Sequence, residues 1–93
     1  AQIIVIELEI PTAFTPNDDG VNDQWVIRGW DIFPNAQIEI FNRWGLKLFT
    51  SDADHPYWDG TYQGEKVSAT TYYYILKPNP KGEELTGTVN ILN

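Results

Sequence analysis

Oxygen-bearing side chains are concentrated in one short stretch, residues 15–23. They are Asn17, Asp18, Asp19, Asn22 and Asp23, with Gly20 among them. Calcium binds clusters of carboxylate and amide oxygens on tight loops, and Asn-x-Asp-Gly resembles the middle of an EF-hand-type loop. Thr15 and Val26, however, occupy the positions of the first Asp and the bidentate Glu. The candidate calcium ligands are Asn17, Asp19, Asn22 and Asp23. The alternative is a metal-free loop ordered by Asn and Asp side chains, with Gly20 at positive φ.

A second set of candidate functional residues is aromatic. It comprises Trp25, Trp30, Trp44, Trp58 and the run Tyr72-Tyr73-Tyr74. Exposed Trp and Tyr rings can stack on sugars, because their faces are apolar and their edges polar. In a strand, Tyr72 and Tyr74 share one face and Tyr73 points to the other, so at least one set belongs to the core. We predict a mainly structural role for Trp25, Trp44, Trp58 and Tyr73.

A third set carries carboxylates and the single histidine: Asp52, Asp54, His55 and Asp59. Paired carboxylates can hydrolyse glycosides, but solvated loop residues are the simpler interpretation. The chain has no Cys, which removes thiolate catalysis and Cys-based zinc sites. It also has neither a phosphate-binding Gly loop nor a nucleophile elbow. We therefore predict that the protein is not an enzyme and requires no cofactor.

Two Trp-Gly segments complete the candidates: Asn42-Arg43-Trp44-Gly45 and Trp58-Asp59-Gly60. Arg43 is predicted to stack on a Trp and to pair with a carboxylate such as Asp59. Gly45 is predicted to supply the positive φ of a hairpin turn.

The elements that position these residues are strands. Apolar and β-branched patterns predict strands over residues 3–10, 24–30, 36–43, 46–50, 70–76 and 85–92, with long loops at 11–23 and 51–66. Val89 and Ile91 are predicted to share one face of the last strand. The pattern contains no convincing amphipathic helix. It predicts an all-β fold, a small antiparallel β-sandwich of about seven strands.

Length and charge bound the remaining possibilities. The 93 residues form one domain, 1–93, whose first strand, 1–10, is a candidate lead-in from an upstream domain. The net charge of -7 argues against nucleic acid or anionic lipid as the main partner. No apolar run is long enough for a membrane helix. The missing Met and leader suggest a mature or excised fragment.

Taken together, ordered segments of this chain resemble a known family. The matching pieces are residues 14–25, 33–35, 40–45, 58–64, 71–74 and 87–91. They resemble the gliding-motility-associated C-terminal domain, also called the type B sorting domain of the type IX secretion system. Asp18 departs from the pattern, since the family usually has Gly there. The positions that the resemblance implies for the motif or for recognition are Phe14, Pro16, Asn17, Asp19, Gly20, Asn22, Asp23, Asn42, Arg43, Trp44, Gly45, Trp58, Asp59 and Gly60.

The resemblance implies an Ig-like β-sandwich that acts as an address. The type IX outer-membrane translocon and its shuttle proteins would recognise it. N-terminal cargo domains would then pass from the periplasm to the cell surface or medium. Loop 14–23 and strand 85–92 are the candidate recognition elements. A carbohydrate-binding or adhesive β-sandwich module is the alternative function.

Overall fold

The structure is a computed structural model that describes residues 8–16, 23–33, 35–52, 54–79 and 82–92. In these residues it contains seven strands and one short 3-10 helix. The strands are β1 (Ala13–Phe14), β2 (Gln37–Phe41), β3 (Lys47–Thr50), β4 (Thr61–Tyr62), β5 (Glu65–Lys66), β6 (Thr71–Lys77) and β7 (Leu85–Ile91). The 3-10 helix is Trp30–Ile32. The all-β sandwich is confirmed, and within the described ranges no helix is long and apolar enough to cross a membrane.

The strands form a five-stranded sheet in the order β1-β7-β6-β2-β3 and a two-stranded sheet of β4 and β5. The pairs β7/β6, β6/β2 and β2/β3 are antiparallel, as predicted. The pair β1/β7 is parallel, with Phe14 opposite Ile91. The prediction of a purely antiparallel fold was therefore wrong at this edge. A strand of two residues that joins the sheet beside the last strand leaves no turn in the sequence to signal its direction.

The central hairpin follows from its sequence. Ile38 and Ile40 alternate with polar residues in β2 and are fully buried on one face. Gly45 has φ 85° in the connection to β3, which confirms its predicted role. The partners of Ile40 and Phe41 are Phe49 and Lys47, so Leu48 is the extra residue of a bulge in β3.

Several predicted strands are shorter or absent. In the 3–10 strand, residues 1–7 lie outside the described ranges, and the remainder contributes one bridge, Glu9 to Arg28. The 24–30 strand is reduced to bridges at Trp25 and Arg28, followed by the 3-10 helix. The predicted loop 51–66 contains the hairpin β4–β5, because Gln63 and Gly64 adopt positive φ and form a tight turn.

The core lies between the inner face of the large sheet and the segments around Trp25 and Trp58 that pack against it. Its buried apolar residues are Phe14, Trp25, Ile27, Trp30, Ile38, Ile40, Trp58, Tyr72, Leu76, Val89 and Ile91. The predicted common face of Val89 and Ile91 is confirmed. So is the predicted sharing of one face by Tyr72 and Tyr74, which both contact core tryptophans: Trp58 at 5.2 Å and Trp25 at 5.0 Å between ring centroids.

Trp25 and Trp58 join the two sides of this core. Both are 0% exposed, and the Trp25 amide donates to the Trp58 carbonyl at 2.8 Å. Both indole N–H groups also have partners: Trp25 Nε1 donates to the Pro11 carbonyl at 2.7 Å and Trp58 Nε1 to the Thr61 carbonyl at 3.1 Å. Both tryptophans therefore have the predicted structural role. Their indole hydrogen bonds matter because a buried N–H without a partner would cost free energy.

The outer face of the large sheet holds a charged cluster. Glu39 on β2 is only 8% exposed. Its carboxylate accepts from Lys47 Nζ on β3 at 2.7 Å and from Lys77 Nζ on β6 at 2.8 Å. The hydrogen bond from Lys47, then that from Lys77, lowers the pKa of Glu39. The cluster therefore ties three neighbouring strands together.

This cluster predicts a loss of stability in acid. Because the folded pKa of Glu39 lies below its ordinary value of 4.5, the stabilisation is complete above about pH 4.5 and is lost as the pH falls through the folded pKa. Glu39→Gln should lower the free energy of unfolding by about 1–2 kcal/mol at pH 7. It should also flatten the decline in stability below pH 4.5. Urea unfolding between pH 2.5 and pH 7 measures both effects, with exposed Glu65→Gln as the control. An equal acid slope for Glu39→Gln and the wild type would contradict the assignment.

Candidate functional site

Two of the motif segments meet in the core. Phe14 packs edge-on against Trp58, with 5.6 Å between ring centroids. Gly60 has φ 80°, and a Cβ there would lie 2.9 Å from Cγ of Pro16. Phe14, Pro16, Trp58 and Gly60 therefore hold the start of the first loop against the turn that precedes β4.

The predicted calcium loop lies mostly outside the described residues. Asn17, Asp19, Gly20 and Asn22 belong to the range 17–22 that the structure leaves undescribed, and Asp23 lies just after it. Asp23 is half-buried and lines a cleft of about 730 Å³ together with Asp59, Arg28 and Lys66. The ranges that are described hold no group of three or more metal-ligating side chains. The calcium site stays a prediction.

The Asp and His candidates for catalysis form turns instead. Asp59 Oδ1 accepts from the Thr61 amide at 3.1 Å and from the Thr61 hydroxyl at 2.6 Å. The predicted pairing of Arg43 with Asp59 was therefore wrong, because Asp59 is used locally to shape its own turn. Asp52 Oδ1 similarly accepts from the amides of His55 and Asp54, and the hydrogen bond from His55 is the main cause that lowers the pKa of Asp52.

The turn 42–46 carries the most exposed tryptophan of the chain. Asn42 Oδ1 accepts from the amides of Trp44 at 2.9 Å and Leu46 at 3.0 Å, and the Gly45 amide donates to the Asn42 carbonyl at 3.0 Å. Arg43 lies over the Trp44 ring, 4.4 Å from its centroid, as the predicted stacking requires. Trp44 itself is 76% exposed. Its predicted structural role was wrong, because the turn projects the ring beyond the sheet.

Tyr73 was also predicted to be structural, and it is 45% exposed. It lies opposite Phe41 and Thr88 on the outer face of the sheet, where no second layer covers it within the described residues. Alternation along β6 had left open which set of tyrosines was buried. The positions of Trp58 and Trp25 decide which set is buried, since these rings contact Tyr72 and Tyr74.

The outer edge of β7 is a feature that the sequence did not specify. Only Asn90 and Ile91 are paired with β1. The Ile91 amide donates to the Thr70 carbonyl on the β6 side. The Asn90 amide donates to the Thr12 carbonyl on the opposite side. By strand alternation, the backbone groups of Thr86 and Thr88 therefore point away from β6. Among the described residues no strand pairs with them. This open edge, Leu85–Thr88, lies in the strand 85–92 that the sequence nominated for recognition.

A family comparison gives these features their context. Residues 8–91 match the family model CHU_C, the type IX secretion signal domain. The chain belongs to this family. The resemblance to a type IX sorting domain is thereby confirmed, and the family is one of secretion signals rather than enzymes. No curated protein and no solved structure matches the chain significantly.

Membership in this family indicates the general role of the domain. A type IX secretion signal domain is part of a cargo protein and interacts with the type IX machinery. It serves export to the cell surface or the extracellular space.

The Asn42 turn generates a prediction. Asn42→Ala removes the acceptor for two backbone amides and should lower the free energy of unfolding by about 1 kcal/mol. Asn42→Asp keeps the accepting oxygen and should recover most of that loss. Thermal unfolding followed by circular dichroism measures both variants. An Asn42→Asp variant as unstable as Asn42→Ala would show that the side-chain oxygen is not what orders the turn.

Proposed function

We propose that this domain is the address of a secreted cargo and that a protein of the type IX outer-membrane translocon, or one of its shuttle proteins, recognises it. The N-terminal cargo domains cross the periplasm and then reach the cell surface or the medium. Recognition is by strand addition: an extended segment of the partner pairs with the open edge of β7. The observation that supports this surface is the outward direction of the backbone groups of Thr86 and Thr88.

The two edges of the large sheet differ in a way that favours β7. The β3 edge is four residues long, begins with Lys47 and is itself bulged at Leu48. Short length, lysine and bulges are the features that protect an edge from pairing. The open part of β7 reads Leu85-Thr86-Gly87-Thr88 and carries neither charge nor proline. Its backbone is therefore the better template for a partner strand.

Charge near this edge favours a partner over self-association. Glu83 and Glu84 are exposed and immediately precede β7. Two copies paired through β7 would bring together two chains that each carry a net charge of -7, these carboxylates included. Like charges brought together in this way oppose pairing. A neutral or basic partner strand meets no such repulsion.

A secretion assay tests the proposed function. Residues 1–93 are fused to the C-terminus of a periplasm-targeted fluorescent reporter in a host with a working type IX system. Reporter outside the cell is compared with that of a translocon-deficient strain. We expect export that depends on the translocon. Retention of a folded fusion in the periplasm of the competent host would contradict the sorting function.

Proline at the edge tests the surface separately. Thr86→Pro removes an N–H that points away from β6, which an edge strand tolerates. We expect export to fall at least tenfold while the melting temperature stays within a few degrees. Thr86→Val keeps the amide and should export normally. Undiminished export of Thr86→Pro would overturn recognition at the β7 edge and leave the sorting function intact.

We also propose that the loop before Trp25 binds Ca²⁺ through Asn17, Asp19, Asn22 and Asp23, on the basis of their oxygen side chains and spacing. A bound ion stabilises the folded state. At millimolar Ca²⁺ the melting temperature should exceed that in excess EGTA by several degrees. Asp19→Asn should reduce this difference, whereas Asp54→Asn, in an exposed turn, should not. Equal melting temperatures with and without EGTA would remove the metal from the proposal.

A further inference from the structure

A second cleft lies beside the turn 42–46, on the side of β4, β5 and the start of β6. Its volume is about 470 Å³. The lining residues that matter here are Arg43, Trp44, Tyr62, Ser68, Thr70 and Thr71. The cleft thus combines an aromatic rim with hydroxyl side chains, one guanidinium and the ammonium group of Lys66. The resemblance counts Arg43 and Trp44 among the motif or recognition positions, but neither the family match nor the strand-addition proposal assigns a ligand to the cleft.

Trp44 is the unusual member of this cleft. The other tryptophans, Trp25, Trp30 and Trp58, are at most 5% exposed, whereas Trp44 is 76% exposed. It does not belong to the core or to the partly buried residues packed on it. Its backbone is nevertheless fixed, because Asn42 accepts from the amides on both sides of Gly45. A large exposed ring on a fixed backbone is a platform whose covering costs little backbone entropy.

Arg43 adds directed hydrogen-bond donors to this platform. Its guanidinium carbon lies 4.4 Å from the Trp44 ring centroid, so the planar group is stacked and oriented. A guanidinium offers several N–H donors and no acceptor. The hydroxyls of Ser68 and Thr70 can both donate and accept, whereas the Thr71 hydroxyl donates to Asn90 Oδ1 and is left as an acceptor. A ligand that meets this surface needs an apolar face for the indole and alternating donors and acceptors at its rim.

We propose that this cleft binds an uncharged oligosaccharide chain, with Trp44 stacking on one sugar ring and Arg43 donating to its hydroxyl or ring oxygens. A pyranose ring has such an apolar face and such a rim of hydroxyl groups. The volume lies in the range of roughly 300–1,000 Å³ that small-ligand sites occupy. The charged residues of the lining are Arg43 and Lys66, while the net charge of -7 on the whole chain opposes the approach of acidic chains.

Acrylamide quenching of tryptophan fluorescence tests the site directly. Quenching reports mainly on Trp44, because the other three tryptophans are buried. The probes are cellohexaose, xylohexaose and mannohexaose at millimolar concentration, with hexagalacturonate as the acidic comparison. At least one neutral probe should reduce the quenching constant at least twofold. No protection by any neutral probe, or equal protection by hexagalacturonate, would overturn the proposal.

Variants separate the cleft from other aromatic surfaces. Titration calorimetry with the protecting probe should show at least a tenfold loss of affinity for Trp44→Ala and a several-fold loss for Arg43→Ala. Tyr73→Ala removes an exposed aromatic ring outside the cleft and should change affinity less than twofold. Equal affinity of Trp44→Ala and the wild type would overturn the assignment. So would a Trp44→Ala variant that fails in export while the wild type binds no sugar, because Trp44 would then serve protein recognition.

Discussion

The pairing of Trp25 with Trp58 is the contact on which the rest of this small fold depends. The two residues form a backbone bridge, both are fully buried, and both indole N–H groups donate to carbonyls. Through Phe14, Tyr72 and Tyr74 they also contact β1 and β6. Large rings of this kind bury much apolar area per residue, which a chain of 93 residues without disulfides needs.

This way of building the core decides where function can lie. The inner face of the sheet is buried by the packing of tryptophan and tyrosine rings. Edges, turns and the outer face are therefore the surfaces available for recognition. The outer face is held by Glu39 and its two lysines. The backbone groups of Thr86 and Thr88, which no strand among the described residues pairs with, and the turn under Trp44 are on the periphery of the same sheet. A secretion signal with separate surfaces of this kind can fold fully and still present an edge to its partner.

The proposed address and the proposed sugar cleft do not compete for the same atoms. Strand addition uses backbone groups of β7, whereas the cleft uses side chains around Trp44. The two surfaces come nearest to each other at Thr70 and Thr71. The Thr70 carbonyl accepts from the Ile91 amide, and Thr70 also lines the cleft.

The sequence by itself determined the family, the all-β class, the hairpin at Gly45 and the buried faces of β2 and β7, because strand alternation and turn residues are local signals. It did not determine that β1 joins β7 in parallel, that Arg43 and Asp59 do not pair, or that Trp44 and Tyr73 are exposed. An aromatic residue is buried or exposed according to what packs across from it, and that neighbour is distant in sequence. The open edge of β7 has the same origin. Only the arrangement of strands decides which backbone groups are left without a neighbour.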